Sequence, residues 1–146
     1  MRYTVLFSIL LFSILTGCSK PKFSSTPSLK FTSVNTTELR SGQTLQFTLS
    51  FTDAEGDISD SIFTQKIVPG CAASEFTQGY PIPSFPASKD QKGDILISFG
   101  LNVNGIPQVI GPTCNQNDTA IFKFVIRDLA KHISDTVSSP PIIIYK

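Results

Sequence analysis

The chain has 146 residues, with 12 Lys and Arg against 11 Asp and Glu, so its formal net charge is only +1. This balance argues against a broadly basic nucleic-acid-binding protein, because such proteins neutralise phosphates with clustered Lys and Arg. Hydrophobic residues make up 40% of the chain and include 12 Phe, which is enough apolar material for one small packed domain. A single His, no Trp and three Cys exclude most metal and nucleophile sites.

The amino terminus has the pattern of an export signal. Arg2 supplies a positive charge, and residues 5–15 form an apolar segment. This segment is too short to cross a bilayer, since a membrane-spanning helix needs about 20 apolar residues. It ends at Leu15–Cys18 (LTGC), which resembles the lipobox of bacterial lipoproteins. An uncleaved membrane helix and a simple secretory signal are the competing interpretations.

The lipobox resemblance implies that residues 1–17 are removed as a signal peptide and that Cys18 becomes the first residue of the mature protein. Cys18 would then carry a diacylglyceryl group on its sulfur and a third acyl chain on its amine, an anchor that holds firmly to a membrane. Ser19 follows, and in lipoproteins a residue other than Asp at that position favours the outer membrane. We therefore expect an outer-membrane lipoprotein on the periplasmic face, with display at the cell surface as the alternative.

Export would place the two remaining cysteines, Cys71 and Cys114, in an oxidising compartment. We expect a disulfide between them, which would stabilise the fold by up to about 4 kcal/mol in the chain-entropy model. Two separately buried thiols are the alternative. A metal site is less favoured, because His132 is the only imidazole and no C-x-x-C spacing occurs.

The rest of the chain predicts a tether followed by one β-rich domain. Residues 18–28 are polar and contain prolines, so we expect a flexible tether before a folded domain at 29–146. Three segments alternate apolar and polar residues, which predicts half-buried strands at Thr44–Thr52, Ile95–Leu101 and Ala120–Ile126. Weaker patterns predict four further strands at 29–34, 62–68, 132–137 and 142–145.

Glycine and proline clusters separate these strands at a spacing typical of a β-sandwich. One strong strand ends in Phe51–Asp57 (FTDAEGD) and another in Phe124–Asp128 (FVIRD). These segments resemble the immunoglobulin-like, cadherin-like modules of bacterial envelope proteins. The resemblance implies an all-β fold, a single immunoglobulin-like antiparallel β-sandwich of about seven strands, in which the two segments belong to strands B and F.

The same architecture predicts a cluster of acidic side chains. Loops that follow strands B and F lie at one end of such a sandwich, which would bring Asp53, Glu55 and Asp57 close to Asp128. Clustered carboxylates repel one another unless a cation joins them, and Ca²⁺ takes six to eight oxygen ligands. The four acids are therefore a candidate calcium site. In the alternative interpretation, which we favour, they cap a turn, accept backbone N–H groups and face water, with Arg127 or Lys131 as basic partners.

Residues 69–93 predict a long irregular segment with Tyr80 and Phe85 in a proline-rich run. Long loops in compact domains are usually functional or mobile. The two aromatic side chains would either form a contact surface for a protein, peptide or glycan, or fold back over the edge of the sheet and cover it. We favour the second arrangement.

No catalytic motif is recognisable, since hydrolytic sites need a base beside a nucleophile or a metal. His132 is expected to be an ordinary surface residue next to a turn. We therefore expect a non-enzymatic, lipid-anchored envelope module with a protein partner and no cofactor other than calcium. A glycan-binding accessory lipoprotein is the alternative, although the chain lacks Trp, and a hydrolase is a remote one.

Overall fold

The structure is a computed structural model that describes residues 22–146. The predicted signal peptide and Cys18 lie outside the described residues. Nine strands form, and one short 3-10 helix follows the fourth of them at Ala72–Ser74. The strands are β1 (Ser28–Val34), β2 (Glu38–Leu39), β3 (Thr44–Asp53), β4 (Ser61–Ile67), β5 (Phe76–Pro81), β6 (Gln91–Gly100), β7 (Asp118–Arg127), β8 (Val137–Ser138) and β9 (Ile142–Ile144).

The strands form two sheets that pack face to face. One sheet has the order β1-β3-β6, and the other has the order β2-β9-β7-β4-β5 with β8 beside β7. The pairs are antiparallel except for β2 and β9, which run parallel. This confirms the predicted all-β, immunoglobulin-like sandwich, with nine described strands instead of about seven. The strand predicted as B is β3, and the one predicted as F is β7.

The core lies between β3 and β7 because both strands alternate strictly. Every second residue of β3 from Leu45 to Asp53 is buried, and so is every second residue of β7 from Asp118 to Ile126. The fully buried Phe47 lies at the centre, with its ring centroid 4.9 Å from that of Phe122 in the opposite sheet. The apolar faces that the sequence pattern predicts are therefore the two inner faces of the sandwich.

The prediction of a strand at 132–137 is largely wrong. Only Val137 of this region lies in a strand, the first residue of β8, while Ile133 makes a single bridge to Arg127 and is 58% exposed. The reason is local hydrogen bonding. Ser134 bonds to both backbone groups of Ile126: its N–H donates to the Ile126 carbonyl and its hydroxyl accepts from the Ile126 N–H. A side chain thus replaces part of a strand ladder.

The prediction of an irregular segment at 69–93 is wrong for Phe76–Pro81, which forms the edge strand β5, and for its last three residues, which begin β6. Its polar outward residues and its proline hide the strand pattern, but an edge strand tolerates proline. Tyr80 on β5 lies edge-on to Phe99, with 5.7 Å between the ring centroids, and Phe85 packs partly buried against the core. Both aromatic residues are thus partly buried at this edge of the sandwich, where they also line an open groove.

The segment just before β1 lies along the domain. The backbone N–H groups of Lys22 and Phe23 donate to Asp90 Oδ1 over 2.6 and 3.2 Å, and the Ser24 carbonyl accepts the Ala54 N–H. These residues belong to the end of the predicted tether. Within residues 22–146, the structure contains no helix with the length and hydrophobicity needed to span a bilayer.

Candidate functional site

Three of the four predicted acids lie together at one end of the sandwich. Asp53 is the last residue of β3 and Asp128 directly follows β7, so both continue the inward-facing positions of their strands and are fully buried. Asp57 lies in the loop after β3 and is partly buried. One carboxylate oxygen from each residue lies within 4.8 Å of the others. We call Asp53, Asp57 and Asp128 the acidic triad.

The loop after β3 is folded around the Asp53 carboxylate. Its Oδ2 accepts the N–H groups of Gly56 at 2.6 Å and Asp57 at 3.2 Å. Gly56 has a positive φ of +70°, and a Cβ there would lie 2.2 Å from the Ser88 carbonyl oxygen, so the turn requires glycine. The Leu129 N–H donates to the Asp57 carbonyl over 2.9 Å, which joins the two loops.

One buried oxygen of the triad has no hydrogen-bond partner. Asp53 is fully buried, and no hydrogen-bond donor contacts its Oδ1. Burial raises the pKa of Asp53, and the neighbouring negative charges of Asp57 and Glu55 add to this effect against the two backbone hydrogen bonds. An ionised Asp53 is therefore under-stabilised in this site, and a cation beside Oδ1 would stabilise it.

Asp128 is hydrogen-bonded to one nearby residue through both of its oxygens. Oδ1 accepts the backbone N–H of His132 at 2.8 Å, and Oδ2 lies 2.9 Å from His132 Nδ1. The imidazole is about half exposed, with a side-chain exposure of 47%. Since each carboxylate oxygen has two lone pairs, these bonds leave acceptor capacity on Asp128 for a further ligand.

The fourth predicted acid, Glu55, is exposed and is not part of the triad. The neighbouring basic side chains bind a different carboxylate, which the sequence analysis did not identify. Asp60 Oδ2 lies 2.6 Å from Arg127 Nε and 2.9 Å from Lys131 Nζ. These two hydrogen-bonded cations hold the pKa of Asp60 well below its usual range. The triad therefore has neither of these two cations as a direct partner.

A second polar group, also missed by the sequence analysis, lies inside the core. Lys66 on β4 and Asp118 at the start of β7 both have fully buried side chains, and Lys66 Nζ lies 2.7 Å from Asp118 Oδ2. The available signal was the position of Lys66, which continues the inward-facing Ile62 and Thr64 of β4. A lysine at an inward position indicates a buried partner.

An apolar groove lies where the free edges of the two sheets meet. It has a volume of about 340 Å³ and lies between β6 and the segment that begins in β5. Its walls include Ile62, Tyr80, Phe85 and Ile97, and Leu96 on β6 is 60% exposed beside it. The groove contains no paired acid and base, so its chemistry suits apolar contact.

Comparisons with known proteins identify no family. No protein-family model matches the chain, and no curated protein matches it. A solved structure with a similar arrangement is the sporulation control protein Spo0M from Bacillus subtilis, with a TM-score of 0.46 and 11% identity. The match covers 84% of this chain and 51% of that one, so this chain spans about half the length of Spo0M.

Proposed function

We propose that the protein is a lipid-anchored, non-catalytic module of the bacterial cell envelope that binds or positions a partner protein. The observation that supports this most directly is the disulfide between Cys71 and Cys114. Disulfides persist in oxidising compartments, so the bridge agrees with export. Together with the lipobox-like Leu15–Cys18, it favours a folded domain held outside the cytoplasm on a lipid.

The groove between the sheet edges supports binding of a protein in preference to a glycan. Its wall is mostly aliphatic and aromatic, with Asp94 as its one charged residue, and the exposed Leu96 extends it. Glycan sites usually offer an exposed aromatic platform, but Tyr80 packs edge-on against Phe99. His132 Nδ1 contacts Asp128, but among residues 22–146 no serine, threonine or cysteine is hydrogen-bonded to the other ring nitrogen, where a hydrolase would need its nucleophile.

Replacing Cys18 with Ser should leave an unprocessed precursor that lacks the lipid, because the substituted residue has no thiol to acylate. Membrane fractionation and mass spectrometry of the amino-terminal peptide would measure this. The Ser19→Ala variant, which keeps the cysteine, should be processed and acylated like the parent protein. An acylated, membrane-anchored Cys18→Ser protein would contradict the proposed anchor.

Cross-linking in intact envelopes, followed by mass spectrometry, tests the proposed partner. A reproducible protein neighbour supports the binding module, and a Leu96→Asp variant should lose that neighbour if the groove forms the contact. Retention on a glycan array without any protein neighbour would favour the glycan-binding alternative instead. Leu129→Asp is a matched control, because Leu129 is 55% exposed and does not line the groove.

We further propose that the acidic triad binds Ca²⁺ and that the ion stabilises the domain. The unpartnered, buried Asp53 Oδ1 supports this proposal, since it is a hard oxygen close to two further carboxylates. The ion would supply the positive charge that Arg127 and Lys131 give to Asp60. Its role would be structural, because it would hold the loops after β3 and β7 together.

Millimolar Ca²⁺ should raise the stability of the unlipidated chain by roughly 2.7 kcal/mol if the site has an affinity of about 10 µM, because the ion binds the native state alone. Thermal unfolding in calcium and in chelator would measure the shift. Asp57→Asn should abolish it, whereas Glu55→Gln, an exposed acid outside the triad, should retain it. An unchanged midpoint together with no heat of binding would show that the acids only cap a turn.

A further inference from the structure

The buried pair of Lys66 and Asp118 has an unusual set of contacts. Lys66 Nζ lies 2.7 Å from Asp118 Oδ2 and donates to the Ile110 carbonyl over 2.6 Å. Asp118 Oδ1 is buried and has no hydrogen-bond partner. Both side chains have 0% exposure, and Lys66 is paired in register with Phe122 of the core. An amine and a carboxyl group are therefore held in contact, away from water.

This environment makes a buried ion pair costly. Desolvating an ion pair costs several kcal/mol per ion unless hydrogen bonds satisfy both charges, and Asp118 Oδ1 lacks such a bond. Burial lowers the pKa of Lys66, although the carboxylates of Asp118 and Glu75 oppose this effect. Transfer of one proton from Lys66 to Asp118 removes both charges and leaves a free amine beside a carboxylic acid. A desolvated, neutral lysine is a nucleophile.

We propose that Lys66 and Asp118 condense to an intramolecular amide that covalently joins β4 to β7. The lone pair of the neutral Lys66 Nζ forms a bond to Asp118 Cγ, and one Cγ–O bond breaks. The departing hydroxyl leaves with one amine proton as water, so no oxidant, reductant or further reactant is needed. The two groups are already in contact. The reaction therefore does not require them to meet by diffusion, which lowers its entropic cost.

The surroundings of the pair suit the product at least as well as the reactants. One hydrogen remains on Nζ after condensation, and the Ile110 carbonyl that already accepts from Lys66 remains its acceptor. The remaining carboxyl oxygen becomes a neutral amide carbonyl. A buried carbonyl with an unfilled acceptor position costs less than an ionised oxygen in the same place. Compared with the ion pair, the amide therefore has no buried charge, and it keeps an existing hydrogen bond.

Peptide mapping of the full-length protein isolated from its own envelope tests the proposal. After disulfide reduction and alkylation, chymotryptic digestion should yield a joined pair of peptides that contain Lys66 and Asp118. The mass of the joined pair should be lower, by the mass of one water molecule, than the sum of the masses of the two separate peptides. Trypsin should fail to cleave after Lys66, because an acylated lysine is not a substrate.

The variants separate the amide from other chemistry. Lys66→Arg keeps the charge but cannot form this bond, and Asp118→Ala removes the acyl group, so both should give separate peptides. Lys30→Arg, at an exposed position on β1, should keep the joined pair. Unjoined peptides with tryptic cleavage after Lys66 in the parent protein would overturn the proposal. So would loss of one water on the Asp118 peptide alone, since this indicates an aspartyl imide.

Discussion

Replacing Phe47 with Ala should lower the free energy of unfolding by about 3–5 kcal/mol, the range expected for truncating a fully buried aromatic side chain. The Phe47 ring lies 4.9 to 6.5 Å, between centroids, from the rings of four neighbours, Phe31, Phe99, Phe122 and Phe124. These neighbours come from both sheets, so collapse of either sheet alone cannot close the cavity. Denaturant unfolding would measure the loss.

Two variants control this prediction. Phe47→Leu keeps most of the apolar volume and should cost clearly less than the alanine variant. Leu96→Ala removes an exposed side chain from β6 and should change stability by no more than about 0.5 kcal/mol. Equal losses for Phe47→Ala and Leu96→Ala would show that the contact between the sheets does not dominate the stability of the domain.

The strands that form the core could be predicted because their alternation is regular. In β3 each apolar residue from Leu45 to Phe51 faces inward, and each Thr, Gln or Ser between them faces outward. The pattern fixes both the type of element and its buried face. Strand β5 could not be predicted in this way. Gly79 packs under the Phe63 ring, with 3.1 Å from a built Cβ to the nearest ring carbon, and contributes no side chain to a pattern.

The acidic triad was predictable because it depends on topology. Once β3 and β7 are assigned to strands B and F, the residues that follow them must lie at the same end of the sandwich. The sequence could not show that Glu55 lies outside the triad. The direction of its side chain depends on the turn at Gly56 and on the two N–H groups bound by Asp53. Backbone hydrogen bonding inside a loop decides which neighbouring acid faces inward.

The Lys66–Asp118 pair was missed for a different reason. Patterns of alternation assign lysine to the solvent face, and the weak strand pattern at 62–68 contains one at an inward position. Its burial depends on a carboxylate 52 residues further along the chain and on the Ile110 carbonyl. Pairings at such distance arise from the register between β4 and β7. A local pattern contains no information about that register.

Replacing Cys71 with Ser should destabilise the domain by up to about 4 kcal/mol, because the disulfide closes a sequence separation of 43 residues and restricts the unfolded chain. The disulfide itself was predicted from the sequence, and it ties the segment after β4 to the loop before β7. A serine hydroxyl at this buried position would have polar neighbours, since Ser74 Oγ lies 3.1 Å and Thr113 Oγ1 3.5 Å from Cys71 Sγ. The loss should therefore report the missing cross-link and not an unsatisfied hydroxyl.

The double variant Cys71→Ser/Cys114→Ser provides the sharper measurement. Both single variants remove the same bond, so the double variant should lose little more stability than either one, and the three losses should be strongly non-additive. Cys114 is only partly buried, so its own truncation adds little to the loss of the bridge. Denaturant unfolding of the parent, the two single variants and the double variant would measure these losses. Thiol alkylation of the never-reduced parent would show whether the cysteines are free. Additive losses, or two alkylated thiols in the native parent, would mean that the cysteines stabilise the core separately.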